Sequence, residues 1–416
     1  MNLKDNKYYF RGDVQIENIN QISKSHMDKK RIAVLFSGDI YKIRGEFTAI
    51  HNRIKALQKE DDILIDAYVF GEFFDKFTNF IKRAKQKVLK SAFELDNVTY
   101  NCFWYKRSHI DNITHKLLKR STNVEINRVK NKAEHFKGYD LIYCHSLYTA
   151  HIGLILKQKY NIPFICMWHG SSIHTLPFQD RNTMKRTKRI LEKADMNLFV
   201  SDELLATAKR ITDNLKGEVS YNGIDTDIFY RLKYEERLAL RKEKGIAQDD
   251  KCIAFVGNCL PIKNVQYLPI LFSTIVQNCN KARFFIFGKG DFAKHFNGYD
   301  LNITYANEIT NKDMPIWYNC MDLIVMPSIN EGLPMTCLEA TACGTSFVGS
   351  RVGAIADVVG VENTIEHNPD FNEAFATLCV KLLNNIERNI ELPTKFKLTN
   401  IIKKESEILK TVIKNN

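Results

Sequence analysis

The chain has 416 residues, which is too long for one small domain and fits two. Hydrophobic residues make up 44% and charged residues 26%, which excludes a disordered, collagen-like or fibrous chain. The formal charge of +12 lies almost entirely in residues 1–230, where 38 Lys and Arg oppose 27 Asp and Glu, against 22 and 21 in residues 231–416. We therefore expect an anionic partner for the first half.

The start of the chain and its cysteines both bear on location. Residues 1–28 form a polar extension without the apolar core of a signal peptide, and no run of 18 apolar residues follows. The ten cysteines form no C-x-x-C pair, and most lie in apolar runs, which is typical of buried thiols in a reducing compartment. The prediction is a cytoplasmic protein without a membrane span.

Strands and helices alternate through the first half. Short apolar runs, most of them with Gly or Ser at their ends, predict buried parallel strands at 31–39, 63–70, 140–146, 163–170 and 196–201. Segments with helical spacing lie between them, as at 47–59 and 181–194. This alternation predicts an α/β domain over residues 29–228.

A second α/β domain is expected over residues 229–394. After a charged stretch, strand-like runs return at 252–258, 282–290, 302–307, 322–328 and 345–350. Residues 395–416 read as a C-terminal helix that returns to the first domain. The predicted fold is α/β, with two facing Rossmann-like domains of parallel strands and a ligand cleft between them.

The most informative stretch is 327–359. Pro334 suits the first position of a ten-residue helix, and Gly344 suits the position just past its end. The helix N-terminus favours an anion. Glu331 at its mouth and Glu339 inside it would be unfavourable there unless they accept hydrogen bonds from hydroxyls, such as those of a sugar or ribose.

At these residues the chain resembles a known family. Glu331 and Glu339, in EGLPMTCLEATACGT, resemble the E-x7-E signature of retaining glycosyltransferases of family 4, which have the GT-B architecture. Further segments resemble the family's landmarks in the same order: CHSLYTA (144–150), MWHGSSI (167–173), FVSDEL (199–204), YNGIDTDIF (221–229), VGNCLPIKN (256–264) and IFGKGD (286–291). The resemblance covers about residues 30–360.

The resemblance implies a role for each matching residue. Glu331 and His169 would contact the donor sugar, His169 from the opposite domain, and Lys263 would neutralise the diphosphate; these three would carry the reaction. Glu339 would accept hydrogen bonds from the ribose. The remaining matches would line the donor site: Gly45, Gly257, Glu308, Ile309, Gly332, Leu333 and Pro334.

Two positions depart from the family pattern. Asn258 follows Gly257 where the family usually has Arg, and Arg44 stands where the family usually has a glycine. We hypothesise that Arg44 supplies the positive charge that Asn258 lacks, so that both residues border the donor.

Some residues keep more than one interpretation. His145 is either a structural histidine or part of the site. Asp225-Thr226-Asp227 resembles the D-x-D of metal-dependent GT-A enzymes, but it lies within the interdomain segment, so neither a metal nor another cofactor is expected. The G-x-G at Gly288 and Gly290 lacks the third glycine of a dehydrogenase fingerprint.

A basic segment at 76–93 predicts an amphipathic helix. Its charges include Lys82, Arg83, Lys85 and Lys87, and it either lies on an anionic membrane or packs on the sheet. A peripheral location on the inner membrane face is one expectation. Nucleic acid is not expected as a partner, because no recognition motif accompanies the charge.

The resulting prediction is a retaining, metal-independent hexosyltransferase that uses a UDP or GDP sugar. The expected acceptor is a glycan or glycolipid of a surface polysaccharide such as capsule or lipopolysaccharide. Two alternatives stay open: a soluble acceptor, or a GT-B-like binding protein or epimerase, which Asn258 favours.

Overall fold

The structure, a computed structural model, describes residues 29–40, 45–74, 88–107, 130–306, 309–386 and 390–416. The chain divides into two compact units. The first contains residues up to Val200, Leu204–Ser220 and Ile402–Asn416, and the second contains Ser201–Glu203 and Tyr221–Ile401. Each unit is an α/β unit built on its own sheet.

The first unit has an eight-stranded sheet in the order β3-β4-β2-β1-β5-β6-β7-β8. The strands are β1 Lys30–Ser37, β2 Ile63–Phe74, β3 Ala92–Leu95, β4 Val98–Arg107, β5 Leu141–Cys144, β6 Phe164–Trp168, β7 Met196–Phe199 and β8 Gly217–Val219. All neighbours pair in parallel except β3 and β4. The central strands are buried along their length, because a parallel sheet is covered on both faces.

Helices connect these strands: α1 Gly45–Leu57, α2 Leu147–Tyr160, α3 Ser171–His174, α4 Leu176–Gln179, α5 Arg181–Lys193 and α6 Asp202–Ile211. Their starts follow ordinary capping chemistry. The Asp180 carboxylate accepts hydrogen bonds from the backbone N–H groups of Asn182 and Thr183 at the start of α5. Ser146, which follows His145 after the end of β5, caps α2 in the same way.

The second unit has a six-stranded, fully parallel sheet in the order β11-β10-β9-β12-β13-β14. Its strands are β9 Lys251–Val256, β10 Ala282–Phe287, β11 Ile303–Ala306, β12 Leu323–Met326, β13 Ser346–Ser350 and β14 Thr364–Ile365. The order reverses between β9 and β12. In open α/β sheets, ligands bind beyond the carboxyl ends of the strands at such a switch point.

The helices of the second unit are α7 Tyr234–Glu243, α8 Leu268–Asn278, α9 Met314–Cys320, α10 Met335–Ala342, α11 Ile355–Val359 and α12 Phe371–Asn384. A further helix, α13 Leu398–Lys414, passes the division between the units at Ile401. One hydrophobic core lies between α8, α12 and the sheet, and it includes the fully buried Phe272, Phe284 and Phe375. Phe272 and Phe284 stack with ring centroids 4.3 Å apart.

The predicted α/β alternation is confirmed, since every predicted apolar run contains a strand. The prediction missed β3, β4, β8 and β14. The basic helix predicted over 76–93 is wrong at its end, because Ala92 begins β3, whereas residues 75–87 lie outside the described part of the chain. All ten cysteines lie within the described residues; none of them forms a disulfide, and eight are buried.

The predicted junction at 228/229 differs from the division observed at Ser220/Tyr221. Residues 221–229 belong to the second unit because Ile224 pairs with the backbone at residues 396–398. Its N–H donates to the Phe396 carbonyl at 3.0 Å, and its carbonyl accepts from the N–H of Leu398 at 2.9 Å. The residues of α13 from Ile402 onwards belong to the first unit.

A buried polar cluster joins α13 to the first unit. Glu405 accepts hydrogen bonds from Arg53 Nε at 3.0 Å, Tyr143 Oη at 2.8 Å and Ser220 Oγ at 2.9 Å. Arg53 also donates to the Ser220 carbonyl at 3.2 Å. Both charged side chains are buried, so these bonds replace the water that each has lost. Among the described residues, no helix combines the length and apolar composition needed to cross a bilayer.

Candidate active site

The candidate site of the second unit lies where strand order reverses. Gly257 directly follows β9, and Pro327 and Ser328 follow β12. The loop after each strand therefore reaches the same edge of the sheet. The Ile329 N–H donates to the Ile262 carbonyl at 2.8 Å and holds the two loops together.

Lys263 and Glu331 meet at this edge. A 3₁₀ turn at Pro261–Lys263 ends at Asn264, whose left-handed backbone (φ 53°) turns the chain sharply. Lys263 Nζ donates to Glu331 Oε1 at 2.5 Å, and the two side chains keep 21% and 13% of their surface exposed. The structure thus brings together the two charged residues that the resemblance placed at the diphosphate and the sugar.

Two glycines keep the backbone of this region closely packed. Gly288 follows β10 with φ 153°, and a Cβ there would overlap the carbonyl oxygen of Gly257. Gly353 has φ 58°, and its Cβ would overlap the carbonyl oxygen of Gly332. Only glycine fits these positions, since backbone meets backbone at each of them.

Asn258 has a role that the sequence did not reveal. Its Oδ1 accepts a hydrogen bond from the backbone N–H of Lys289 at 3.1 Å, which ties the loop after β9 to the loop after β10. An arginine could not replace this bond, because its side chain carries no acceptor. The departure from the family pattern therefore exchanges a charge for a loop contact.

Helix α10 follows the loop at this edge and carries Glu339 on its second turn. The helix has eight residues rather than the predicted ten, and Pro334, with ψ 130°, precedes it instead of opening it. Gly344 lies just past its end with φ 68°, as predicted. Glu339 Oε2 accepts a hydrogen bond from the buried Tyr318 hydroxyl at 2.7 Å. Burial raises the pKa of Glu339 to about 7, although the bond from Tyr318 opposes that shift.

The segment at 221–229 supports the mouth of α10. Asn222 Nδ2 donates to the Leu333 carbonyl at 2.9 Å, so it anchors the loop that carries Gly332 and Leu333. Asp225 forms a local turn, with Oδ1 accepting from the Asp227 N–H at 3.0 Å. In the part of the chain that the structure describes, no group of three His, Cys, Asp or Glu side chains is placed to hold a metal ion.

The first unit has a reversal of strand order between β1 and β5, and two histidines lie beside it. His145 follows β5 and His169 follows β6. His145 Nδ1 and His169 Nε2 are 3.2 Å apart. Burial, followed by the positive charge of Arg53, lowers the pKa of His169 to about 3.

Other predicted site residues are less constrained. Gly45 begins α1, and a Cβ there would meet no described atom within 4 Å. Ile309 is half-buried in the connection between β11 and α9. The other predicted residues lie outside the described part of the chain: Arg44, Lys82, Arg83, Lys85, Lys87 and Glu308.

Tyr318 is a further residue of this site that the sequence did not indicate. It lies on α9, and its hydroxyl is directed at Glu339, which is 21 residues further along the chain. A tyrosine within a mostly apolar helix has the pattern of a core residue. Only the packing of α9 on α10 reveals the contact with Glu339.

Comparisons with known proteins agree with these features. Residues 250–385 match the family described as Glycosyl transferases group 1, and residues 97–228 match the family described as Glycosyltransferase Family 4. A putative teichuronic acid biosynthesis glycosyltransferase of Bacillus subtilis is 24% identical over 57% of this chain and 59% of its own length. An uncharacterised glycosyltransferase of Methanocaldococcus jannaschii is 26% identical over 74% of this chain and 84% of its own length.

Solved structures share the architecture. Sucrose-phosphate synthase from Thermosynechococcus elongatus has a TM-score of 0.72 at 16% identity, over 93% of this chain and all of that chain. Anabaena HepE in complex with UDP has a TM-score of 0.68 at 15% identity, over 92% of this chain and 100% of that chain. The matches to the first curated relatives span about 60% of the length of those proteins.

Two α/β units with parallel strands, together with these structural neighbours, define the GT-B fold class. With both of its units matched by glycosyltransferase families, the chain belongs to the family 4 glycosyltransferases.

Proposed function

We propose that this protein transfers a sugar from a nucleoside diphosphate donor to a hydroxyl acceptor and retains the anomeric configuration. The observation that carries the proposal is the Lys263–Glu331 pair at the switch point, beside the N-terminus of α10. A lysine and helix amides suit a diphosphate. The carboxylates of Glu331 and Glu339 suit the hydroxyls of the sugar and the ribose.

The proposed reaction takes place on one face of the sugar. The bond between the anomeric carbon and the diphosphate oxygen breaks, the acceptor oxygen bonds to that carbon on the same face, and the acceptor proton passes to the departing oxygen. Lys263 and the amides of α10 stabilise the charge that grows on the diphosphate. Glu331 and His169 hold the sugar in position. These groups supply the neutralisation, so we propose neither a metal nor another cofactor.

The proposed donor carries uridine. The structural neighbour HepE was solved with UDP and with UDP-glucose, which makes UDP sugars the first donors to test. We propose a lipid-linked glycan acceptor at the inner membrane face. Two observations support this acceptor: the basic excess of residues 1–230 and the relative named for teichuronic acid biosynthesis.

A soluble acceptor is the second candidate, because several relatives are named D-inositol 3-phosphate glycosyltransferase. One of them, from Catenulispora acidiphila, is 25% identical over 60% of this chain and 65% of its own length. Such an acceptor is itself an anion and would also suit a basic unit.

The deciding experiment incubates the full chain with UDP and GDP sugars and membrane extract, with inositol phosphate as a separate acceptor. Nucleotide release coupled to a glycolipid supports the main proposal, and release coupled to a glycosylated inositol phosphate supports the second. Donor binding without transfer would instead indicate a binding protein or an epimerase. Loss of transfer in EDTA would contradict metal independence.

The proposed membrane surface is tested separately. A variant with Lys82, Arg83, Lys85 and Lys87 changed to Glu should no longer float with anionic vesicles, because each basic residue contributes about 1 kcal/mol of attraction. A variant with Lys242, Lys381, Lys397 and Lys403 changed to Glu is the control of equal charge. Unchanged flotation of the first variant would remove this surface from the proposal.

The compensation between Arg44 and Asn258 has its own test. If Arg44 supplies the missing charge, Arg44→Ala lowers turnover about as much as Lys263→Ala, on the order of 100-fold. Normal turnover of Arg44→Ala would leave Lys263 and the helix amides as the sources of positive charge.

A further inference from the structure

His145 and His169 of the first unit contact each other through one ring nitrogen each, and a further buried ring nitrogen is left without a partner among the described residues. Their rings are nearly parallel, with an angle of 22° and centroids 5.5 Å apart. His145 is 1% exposed and His169 is 8% exposed. Nε2 of His145 is buried and has no hydrogen-bond partner among the described residues.

Both rings are uncharged at neutral pH. Burial lowers the pKa of His145 well below its usual range, and the charges of His169 and Arg53 act in the same direction. Burial and the charge of Arg53 likewise lower the pKa of His169. Each neutral ring carries a single N–H, so the short contact between the rings needs one donor and one acceptor.

Two arrangements satisfy that contact. If His169 Nε2 donated, His145 would carry its hydrogen on Nε2, as a buried N–H without an acceptor. If His145 Nδ1 donates, its Nε2 is only a lone pair without a donor. Buried N–H groups without partners are rarer than acceptors without partners, so the second arrangement is favoured.

We propose that His145 is a positioning residue that fixes His169 as the Nδ1–H tautomer. His169 then presents an N–H donor, rather than an acceptor, and selects an oxygen acceptor on its ligand. If the proposed function holds, that acceptor is an oxygen of the donor sugar. The hydrogen bond at one ring nitrogen of a histidine determines whether its other ring nitrogen carries a hydrogen, and the ligand contacts that second nitrogen.

The tautomer can be observed directly. Long-range ¹H–¹⁵N correlation spectra of the full chain, assigned with a His169→Gln variant, report which ring nitrogen carries hydrogen. We expect His169 to show a protonated Nδ1 and a bare Nε2, unchanged between pH 6 and pH 8. A protonated Nε2 on His169 would overturn the proposal.

Two variants separate positioning from packing. His145→Leu removes the donor, so His169 should become a mixture of tautomers, whereas the amide of His145→Asn can still donate and should preserve the single form. We expect kcat/KM to fall by roughly 10-fold to 100-fold in the leucine variant and to recover in the asparagine variant, as for other groups that orient a functional imidazole.

The outcomes distinguish this inference from the proposed function. A leucine variant with the wild-type tautomer would overturn the positioning role. If neither variant folds, the wild-type spectrum still decides. If the wild type transfers no sugar while His169 is the Nδ1–H form, the proposed function fails and the tautomer assignment stands.

Discussion

The ion pair Arg53–Glu405 of the first unit and the ion pair Lys263–Glu331 of the second differ in how many hydrogen bonds their side chains make. Glu405 of the buried pair receives three side-chain hydrogen bonds, and Arg53 makes a further bond to a carbonyl. Glu331 receives one side-chain hydrogen bond within the described part of the chain, from Lys263, and both partners keep contact with solvent. An ion pair whose carboxylate already accepts several hydrogen bonds stabilises the fold. An ion pair at the edge of a sheet whose carboxylate accepts a single side-chain hydrogen bond can still bind a ligand.

The first prediction tests the structural side of this comparison. Glu405→Ala leaves Arg53 buried without a counter-ion, and it should lower the free energy of unfolding by about 3–5 kcal/mol. Urea denaturation measures this loss. Glu407→Ala, on the exposed side of the same helix, is the control and should change stability little. A loss below about 1 kcal/mol in Glu405→Ala would show that the bonded cluster does not stabilise the unit.

The second prediction tests the functional side. Lys263→Ala should lower turnover on the order of 100-fold, because it removes one charge from the leaving diphosphate. Its free energy of unfolding should change by less than about 1 kcal/mol, since the pair is partly exposed. Lys242→Ala makes the same change of charge at an exposed position of the same unit. Equal turnover in the two variants would mean that Lys263 does not act on the donor.

The third prediction concerns the cost of burying Glu339. Its pKa is about 7 in the folded protein and near 4.5 when unfolded, so the folded state holds an extra proton between these values and loses stability as the pH rises through them. Glu339→Gln should therefore raise the free energy of unfolding at pH 8 by up to about 3 kcal/mol.

At pH 5 this gain should be much smaller, because Glu339 is then protonated in the folded state and already about one quarter protonated in the unfolded state, so that little of the ionisation free energy still separates the two states. Denaturation of both proteins at the two pH values gives the measurement. A gain of the same size at pH 5 would point to better packing of the amide instead of the relief of a buried charge.

The smallest expected effect concerns whether the diphosphate replaces Glu331 as the partner of Lys263. Glu331→Gln frees Lys263 and removes a negative charge near the diphosphate, so a nucleoside diphosphate without sugar should bind roughly 10-fold more tightly. Calorimetry with UDP and GDP tests this, with the exposed Glu235→Gln as control. Weaker binding in Glu331→Gln would indicate that Glu331 orders Lys263 for the phosphate and does not compete with it.

Sequence reasoning succeeded where local patterns carry the information. Buried parallel strands appear as apolar runs, and Gly257 and Ser328 mark the ends of two of them. The strand β4 was missed because VTYNCFWYKR mixes polar and aromatic residues and is only half-buried along much of its length. The resemblance, rather than composition, placed Lys263 and Glu331 in one site, since 68 residues separate them.

The pairings that escaped prediction depend on tertiary packing. Tyr318 meets Glu339 only because α9 packs on α10. A weak signal existed for Glu405, which lies on the apolar stripe of α13 with Ile402, Leu409 and Val412. An acid on a buried stripe indicates a buried partner, but nothing in the local pattern identifies Arg53.

The distance along the chain between Arg53 and Glu405 has a consequence for biosynthesis. The two residues are 352 positions apart, so at 5–20 residues per second roughly 20–70 s pass on the ribosome before the arginine meets its carboxylate. The residues of the second unit from Tyr221 to Ile401 are all synthesised within that interval. The unit that starts folding first is therefore the last to be completed, and the nascent chain must tolerate an unpaired arginine until α13 emerges.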